Sequence, residues 1–282
     1  MVNKKTSAGH EFADASRLDK HYLAAQAEYE DTLNSAGIQP GWKVLDAGCG
    51  NGVFLPLLST IVGSGGSIAA LDVAEENVNA VQHQISQHRY ACHVEAQTGT
   101  ISNLPYESNS FDAVWCANVT MYLTEAELET AISEFARVLR PGGIVAIKEV
   151  DLSVFQFQPL SPELVSRWLT AAQQAGITHI QGASRGTRMP SWIRVAGFEI
   201  TKRQTFLVER WAPLGDVERD LVAENLGALA NKAPDLGLSN EDQQQWAEVR
   251  DSPDRYLDDP DFCYRAIHVL TVGVNSSENN RR

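Results

Sequence analysis

Three alternating glycines follow an apolar run and an acid in the segment Val44–Gly52, which reads Val-Leu-Asp-Ala-Gly-Cys-Gly-Asn-Gly. Gly48, Gly50 and Gly52 allow sharp turns of the main chain and let a ligand lie directly against it. A helix that begins behind such a turn points its free N–H groups at the bound group. The segment therefore predicts a small-molecule cofactor site. A dinucleotide-binding loop would place its third glycine where Val53 stands, which weakens the nicotinamide and flavin interpretations.

A second acid stands where the next strand is expected to end. Asp72 lies 20 residues after Gly52, and a carboxylate at about this spacing accepts hydrogen bonds from the hydroxyls of a ribose. The alternative is that Asp72 only caps the helix expected from residue 75.

Strands and helices alternate after Lys43, and their order determines which residues can meet. The hydrophobic pattern predicts strand 43–47, helix 51–62, strand 67–72, helix 75–88, strands 92–96 and 111–116, helix 124–139 and strand 144–150. Such alternation favours an α/β fold with a doubly wound, mostly parallel sheet covered by helices on both faces. Ligands bind beyond the carboxyl ends of the strands in this fold.

Flanking segments divide the chain into three parts. Residues 12–36 carry an amphipathic pattern, so residues 1–37 are expected to form N-terminal lid helices. Residues 38–212 and 257–275 are expected to form the core, with helices 162–175 and 190–196 and strands 198–203 and 267–274. Residues 213–256 are expected to form a helical insertion on the substrate side, with helices near 216–230 and after Ser239.

Composition restricts the partners. The chain has 282 residues, 43% of them hydrophobic, and a formal net charge of −13, which repels nucleic acid. No apolar run of about 18 residues predicts a membrane span. The four cysteines have no Cys-x-x-Cys spacing and, with the seven histidines, predict no metal site. We expect a cytoplasmic protein that acts on a small molecule and has no nucleic-acid partner; its oligomeric state stays open.

Three short motifs precede or open the later strands, in the order Leu104-Pro105, Phe111-Asp112 and Arg140-Pro141-Gly142-Gly143. Together with Asp-x-Gly-x-Gly-x-Gly and the distal acid, they resemble the class I S-adenosylmethionine-dependent methyltransferases over about residues 40–150. The resemblance is strongest to the small-molecule branch that includes the ubiquinone and menaquinone methyltransferases. It implies a seven-stranded sheet, parallel except for the last strand in space, and S-adenosylmethionine as the cofactor.

The resemblance also assigns roles to residues. Asp46, Gly48 and Gly50 would hold the amino acid end of the cofactor, Asp72 its ribose, Val73 its adenine ring, Thr100 and Ile101 the adenine amino edge, and Asn118 the methionine ammonium. On the entry helix, Tyr22 is placed to close over the sulfonium by a cation–π contact. The alternative for Tyr22 is core packing of that helix.

Candidate catalytic residues lie near the ends of the fourth and fifth strands. Glu149 and Asp151 should point to the same side of their strand, where a carboxylate could act as a base or orient the acceptor. The alternative is that these acids cap backbone groups or pair with Arg185 or Arg188. Tyr122 is expected to form a wall of the methyl-transfer site, or else to pack in the core.

The expected activity is in-line transfer of a methyl group to an oxygen, nitrogen or carbon atom of a small organic acceptor, in biosynthetic or secondary metabolism. Two alternatives stay open. The protein could use its bound cofactor for a reaction other than methyl transfer, or only bind a ligand, because fold does not fix function. It could also methylate RNA or protein, although the acidic charge disfavours RNA.

Overall fold

A computed structural model describes residues 15–276, with side chains from Lys20 onward. Residues 1–14, which belong to the predicted lid, lie outside this range. The strands are β1 (Lys43–Ala47), β2 (Ser67–Asp72), β3 (His93–Thr98), β4 (Phe111–Ala117), β5 (Leu139–Gln158), β6 (Phe198–Trp211) and β7 (Cys263–Asn275). They form one sheet in the spatial order β3-β2-β1-β4-β5-β7-β6.

This sheet confirms the doubly wound, mostly parallel fold. Among the described strands β7 alone runs against its neighbours, pairing antiparallel with both β5 and β6. The expectation that the antiparallel strand is last in space is corrected, because β7 is inserted between β5 and β6, and β6 forms the edge. Strand β1 has β2 on one side and β4 on the other. The order reverses there, and the crevice beyond β1 and β4 is where such sheets bind ligands.

The helices are α1 (Ala15–Ala24), α2 (Gln26–Asn34), α3 (Leu55–Val62), α4 (Glu75–Gln87), α5 (Glu125–Val138), α6 (Pro162–Gln174), α7 (Thr178–Gly182), α8 (Met189–Val195), α9 (Asp216–Lys232), α10 (Asn240–Asp251) and α11 (Asp254–Leu257). Helix α5 begins at a capping box formed by Thr124 and Glu127. Helix α3 begins later than residue 51 because Gly52 has a φ of +83°, which a right-handed helix excludes. In the described part of the chain, none of these helices has the length and apolarity to cross a membrane.

The last three strands are longer than the sequence pattern predicts. Strand β5 continues past residue 150, and its far end pairs with the start of β7, where Phe157 lies opposite Tyr264. Strand β6 likewise reaches Trp211 opposite Cys263. Residues 155–158 do alternate apolar and polar side chains, which is a strand pattern that the predicted strand 144–150 does not include. The extended parts of these strands continue the sheet past the crevice and form the floor of the cavity there.

Two helical segments cover that floor. Helix α9 lies in the insertion between β6 and β7, and the indole N–H of Trp168 in α6 donates to the Leu229 carbonyl at 2.9 Å. Helix α1 lies beside α9, with Lys20 Nζ 3.6 Å from a carboxylate oxygen of Asp220. Arg210 of β6 holds the same entry segment by donating to the Ala24 carbonyl at the end of α1. The described part of the N-terminal segment and the insertion thus meet over the carboxyl ends of the strands.

Candidate functional site

The glycine loop is a segment of bare main chain at the end of β1. Gly48, Gly50 and Gly52 all adopt positive φ angles, of 81°, 53° and 83°, a conformation that favours glycine. The Gly48 and Cys49 N–H groups donate to the Leu71 carbonyl at 2.7 and 3.0 Å, which fastens the loop to β2. A Cβ atom at residue 48 would collide with the Val119 side chain. The loop therefore has a fixed path along the crevice.

Asp72 fixes the loop from the other side and faces the same cavity. Its carboxylate accepts hydrogen bonds from the Gly50 N–H at 2.8 Å, the Ala74 N–H at 2.9 Å and the Asn77 amide at 3.3 Å. Burial raises the pKa of Asp72, and these hydrogen bonds oppose that rise. The capping alternative thus describes part of what Asp72 does, and its role toward a ribose stays a prediction.

Asp46 lies behind the loop and not on the cavity wall. Its side chain is 1% exposed, and its Oδ2 atom has no hydrogen-bond partner among the described residues. Burial, with a smaller contribution from the Asp72 charge, raises the pKa of Asp46 to about 8. A buried carboxyl with an unused oxygen is costly unless a donor or a cation completes it. This feature suits a cofactor whose amino acid end carries an ammonium.

The other predicted cofactor residues meet at one cavity of about 930 Å³. They are Tyr22, Gly48, Gly50, Asp72, Val73, Thr100, Ile101 and Asn118. They come from five separate segments that the switch in strand order brings together. The volume is near the upper end of small-molecule sites. Three features of this cavity fit S-adenosylmethionine. They are the bare amides of the glycine loop, the buried acid Asp72 at the position expected for ribose binding, and the exposed Val73 beside them.

A buried polar cluster lies where β4 ends. Asn118 has a φ of +58°, and its side-chain oxygen accepts a hydrogen bond from Lys148 Nζ at 2.7 Å. The Asn118 amide donates to the Tyr29 hydroxyl at 3.3 Å, and Lys148 Nζ lies 3.6 Å from the centre of the Tyr29 ring. Burial lowers the pKa of Lys148 and raises that of Tyr29 to about 12. The cluster fixes the Asn118 side chain at the cavity.

Tyr22 and Tyr122 both lie on the cavity wall. The Tyr22 ring packs edge-on against Phe54, with ring centres 5.7 Å apart, and its hydroxyl donates to Glu30 at 3.1 Å. Burial, followed by the Glu30 charge, raises the pKa of Tyr22 to about 12. Tyr122 lies in the 3₁₀ turn Thr120–Tyr122 after β4. Packing and cavity lining thus coexist for Tyr22, and the ligand contacts of both residues remain predictions.

Glu149 and Asp151 do share one side of β5, but it is not the side of the cavity. Val150 and Leu152, the intervening residues, line the cavity, and the two acids do not. Because side chains alternate along a strand, the acids point to the opposite face. The expectation that Glu149 and Asp151 act on the acceptor is therefore corrected, because the alternation of side chains along β5 places both acids away from the cavity.

Backbone and hydroxyl donors hold both acids in place. Glu149 accepts from the Thr120 N–H at 2.6 Å and from its hydroxyl at 2.8 Å. Asp151 accepts from the Thr187 N–H and hydroxyl, both at 2.8 Å, and from the Ser153 N–H at 3.0 Å. Burial works against ionisation of Asp151, yet the bonds from Ser153 and Thr187 lower its pKa. These contacts match the structural alternative, in which the acids cap backbone groups.

Sequence reasoning missed three side chains at this site, Tyr29, Lys148 and His268. His268 of β7 lines the cavity and packs edge-on against the Tyr29 ring, with ring centres 5.0 Å apart. Tyr29 belongs to the amphipathic pattern of the entry segment, so its burial was predictable. The roles of Lys148 and His268 depend on pairing between β5 and β7, which no local pattern reveals.

Taken together, the sheet order, the positive-φ glycine loop and the acid at the end of β2 define the class I S-adenosylmethionine-dependent methyltransferase fold. Comparison with known proteins agrees. Residues 44–143 match the family model described as a methyltransferase domain.

Two relatives and one solved structure illustrate the similarity. A sterol 24-C-methyltransferase of Gibberella zeae is 32% identical over 141 residues, which are 50% of this chain and 34% of that protein. The ubiquinone/menaquinone biosynthesis C-methyltransferase of Hahella chejuensis is 30% identical over 148 residues, 48% of this chain and 59% of that protein. The matches thus span less than two thirds of either relative. A methyltransferase structure from Aquifex aeolicus has a TM-score of 0.53 at 23% identity, covering 68% of this chain and 92% of that one.

Proposed function

We propose that this chain transfers a methyl group from S-adenosylmethionine to a small organic acceptor in biosynthetic metabolism. The observation that carries the proposal is a single cavity of about 930 Å³ that contains two regions. One region is lined by the glycine loop and Asp72, and the other by apolar side chains of β5, α7 and α9. A donor and an acceptor can therefore lie in contact, as methyl transfer requires.

The donor region would be held by the residues that the motifs select. The loop amides would receive the amino acid end, with the buried Asp46 carboxyl behind them, Asp72 would receive the ribose, and Val73, Thr100 and Ile101 the adenine. When bound, S-adenosylmethionine supplies a methyl group that its sulfonium already activates. The protein's own task is then to align the two reactants and to exclude water.

Aromatic side chains from the entry helices and from the start of α3 serve both tasks. Tyr22, Tyr29 and Phe54 form one cluster, in which the Tyr29 and Phe54 rings stack with centres 5.9 Å apart. The cluster joins the lid, to which Tyr22 and Tyr29 belong, to the segment after the glycine loop, and there it would shield the donor region from solvent. Its ring faces also favour a cationic group nearby. We assign Tyr22 to this closure and Tyr122 to the wall of the transfer site.

Location and partners belong to the same proposal. All four cysteines are free thiols, which are typical of a reducing compartment such as the cytoplasm. The net charge of −13 disfavours a nucleic-acid acceptor.

The test is transfer of label from methyl-labelled S-adenosylmethionine to a panel of small alcohols, phenols, amines and carbon acids. Labelled product together with S-adenosylhomocysteine is the expected result. Tight cofactor binding without transfer to any acceptor would instead favour a non-methyl reaction or ligand binding. Label on RNA or protein, but on no small molecule, would refute the proposed acceptor class.

Binding of the cofactor is tested separately by calorimetry on Asp72→Ala. Loss of hydrogen bonds to a charged group should weaken S-adenosylmethionine binding by about 1.5–3 kcal/mol. Asp251→Ala removes an exposed carboxylate and serves as the matched control, with unchanged affinity. Equal affinity of both variants would remove Asp72 from the site.

A further inference from the structure

The acceptor region has a floor with a regular pattern along β7. Tyr264, Ala266 and His268 alternate with residues of the other face, and all three line the cavity. The first and the last are four positions apart along the strand, a distance of about 13 Å. The small side chain of Ala266 leaves room between two larger polar ones. This floor is therefore a groove with a polar group at each end.

Apolar side chains form the walls and the roof of this groove. They come from β5 (Val150, Leu152, Phe155), α6 and α7 (Leu169, Ile180) and α9 (Leu221, Leu229). A molecule that fills the groove must present hydrocarbon surface to these side chains, because buried polar groups without partners are costly. The walls thus select a largely apolar body.

His268 marks the end of the groove next to the cofactor region. Its ring contacts Tyr29, and the Tyr29 hydroxyl receives a hydrogen bond from Asn118, which also lines the cavity. Tyr264 marks the far end under α9, where its hydroxyl accepts from the Asn225 amide at 3.3 Å. A ligand with a reacting end and a remote end would therefore place the reacting end at His268.

His268 has hydrogen-bonding capacity that the protein does not use. The side chain is 7% exposed, and its Nδ1 atom has no partner among the described residues. Burial, followed by the nearby Lys148 charge, lowers the pKa of His268 well below its ordinary value. The imidazole is thus neutral at physiological pH, and one of its ring nitrogens is always an acceptor. A ligand hydroxyl would satisfy it.

We infer that the acceptor is an elongated, largely apolar molecule whose hydroxyl group hydrogen-bonds to His268 while its hydrocarbon body lies over Ala266 beneath α9. The inference rests on the proposed function, because that function makes the cavity a donor and an acceptor site. His268 is then the residue that selects a hydroxylated acceptor over its deoxygenated counterpart and fixes its orientation.

Two probes of equal shape test this selection, 2-naphthol and 2-methylnaphthalene, which exchange a hydroxyl for a methyl group. Their dissociation constants are measured by ligand-observed NMR on the cofactor-free protein. Wild type should prefer 2-naphthol, and His268→Leu should shift the ratio of the two constants toward 2-methylnaphthalene by about tenfold, the effect of one net hydrogen bond. His268→Gln, which keeps a polar group, should retain part of the preference. His93→Leu, at an exposed position of β3, should leave the ratio unchanged.

A spectroscopic readout on folded wild type avoids dependence on any variant. In protein labelled with ¹⁵N-histidine, the ring nitrogen signals of His268 should move on addition of 2-naphthol and stay in place with 2-methylnaphthalene. Three results would each overturn the inference. They are an unchanged ratio of dissociation constants in His268→Leu, His268 ring signals that do not move on addition of 2-naphthol, and no saturable binding of either probe to wild type. Failure of S-adenosylmethionine to bind would overturn the proposed function alone, because the probes are measured without it.

Discussion

The buried acid behind the glycine loop should make the cofactor-free protein less stable as pH rises. Asp46 is neutral in the folded protein up to a pKa of about 8, against an ordinary value of 3.8. Between these values the unfolded chain has released the proton and the folded chain has kept it, so the unfolded state binds fewer protons. Stability therefore falls with increasing pH through this window. Each pH unit within this window lowers the free energy of unfolding by about 1.4 kcal/mol, so the loss amounts to about 4 kcal/mol at pH 7.

Asp46→Asn removes this penalty while keeping the size of the side chain. We expect the free energy of unfolding of the variant, relative to wild type, to increase by about 2–3 kcal/mol between pH 5 and pH 7. Urea denaturation followed by tryptophan fluorescence at several pH values measures it. Asp251→Asn, at an exposed acid, is the matched control and should show no such trend. A stability difference between Asp46→Asn and wild type that does not change with pH would refute the reasoning.

The same acid should couple cofactor binding to proton release. If the cationic amino acid end of S-adenosylmethionine comes to lie near Asp46, it favours the ionised carboxyl, so binding at pH 7 should release a proton and affinity should rise toward pH 8. Calorimetry in two buffers with different ionisation enthalpies measures the number of protons. The release should disappear in Asp46→Asn. Proton release that persists in the variant would assign it to another group.

Three further substitutions test the supports of the site. Gly48→Ala should cost about 1–3 kcal/mol of stability more than Gly37→Ala in urea denaturation, because both glycines have positive φ but only the former meets a side chain. Trp168→Phe should lower stability by about 1–2 kcal/mol through loss of the buried bond to α9, with exposed Trp211→Phe nearly neutral in the same assay. Arg210→Met should loosen the entry helices, seen as faster limited proteolysis there, because it removes donors to α1 and α2; unchanged cleavage would contradict this support.

The core of the fold and the donor region follow from local patterns in the sequence. Alternating strands and helices predict the mostly parallel sheet, and the glycine loop and Asp72 each follow directly from the end of a strand. The prediction selects the wrong face of β5, because neighbouring side chains of a strand point to opposite faces and a shift of one residue exchanges the two. Glu149 and Asp151 were selected for their chemistry, whereas the helices that pack on the sheet place Val150 and Leu152 at the cavity.

The acceptor region depends on pairs of residues that are distant in the chain. Asn118 meets Tyr29 across 89 positions, and Tyr264 meets Asn225 only because the insertion folds back over β7. His268 lies opposite Val150 through the antiparallel pairing of β5 and β7. None of these contacts has a local signature, since each joins segments that are far apart in the sequence.

This division between local and distant contacts has a consequence for specificity. Residues of the donor region also hold the loop together: Asp72 binds the Gly50 N–H, and Gly48 has no room for a side chain. Substitutions in the donor region should therefore lower both the stability of the fold and the affinity for the cofactor. The acceptor groove instead uses side chains such as His268 and Ala266, which project from a strand whose backbone bonds are independent of them. Substitutions at these two positions should therefore change which acceptor binds while leaving cofactor affinity intact, and calorimetry with S-adenosylmethionine on His268→Leu would detect a failure of that separation as a weaker cofactor complex.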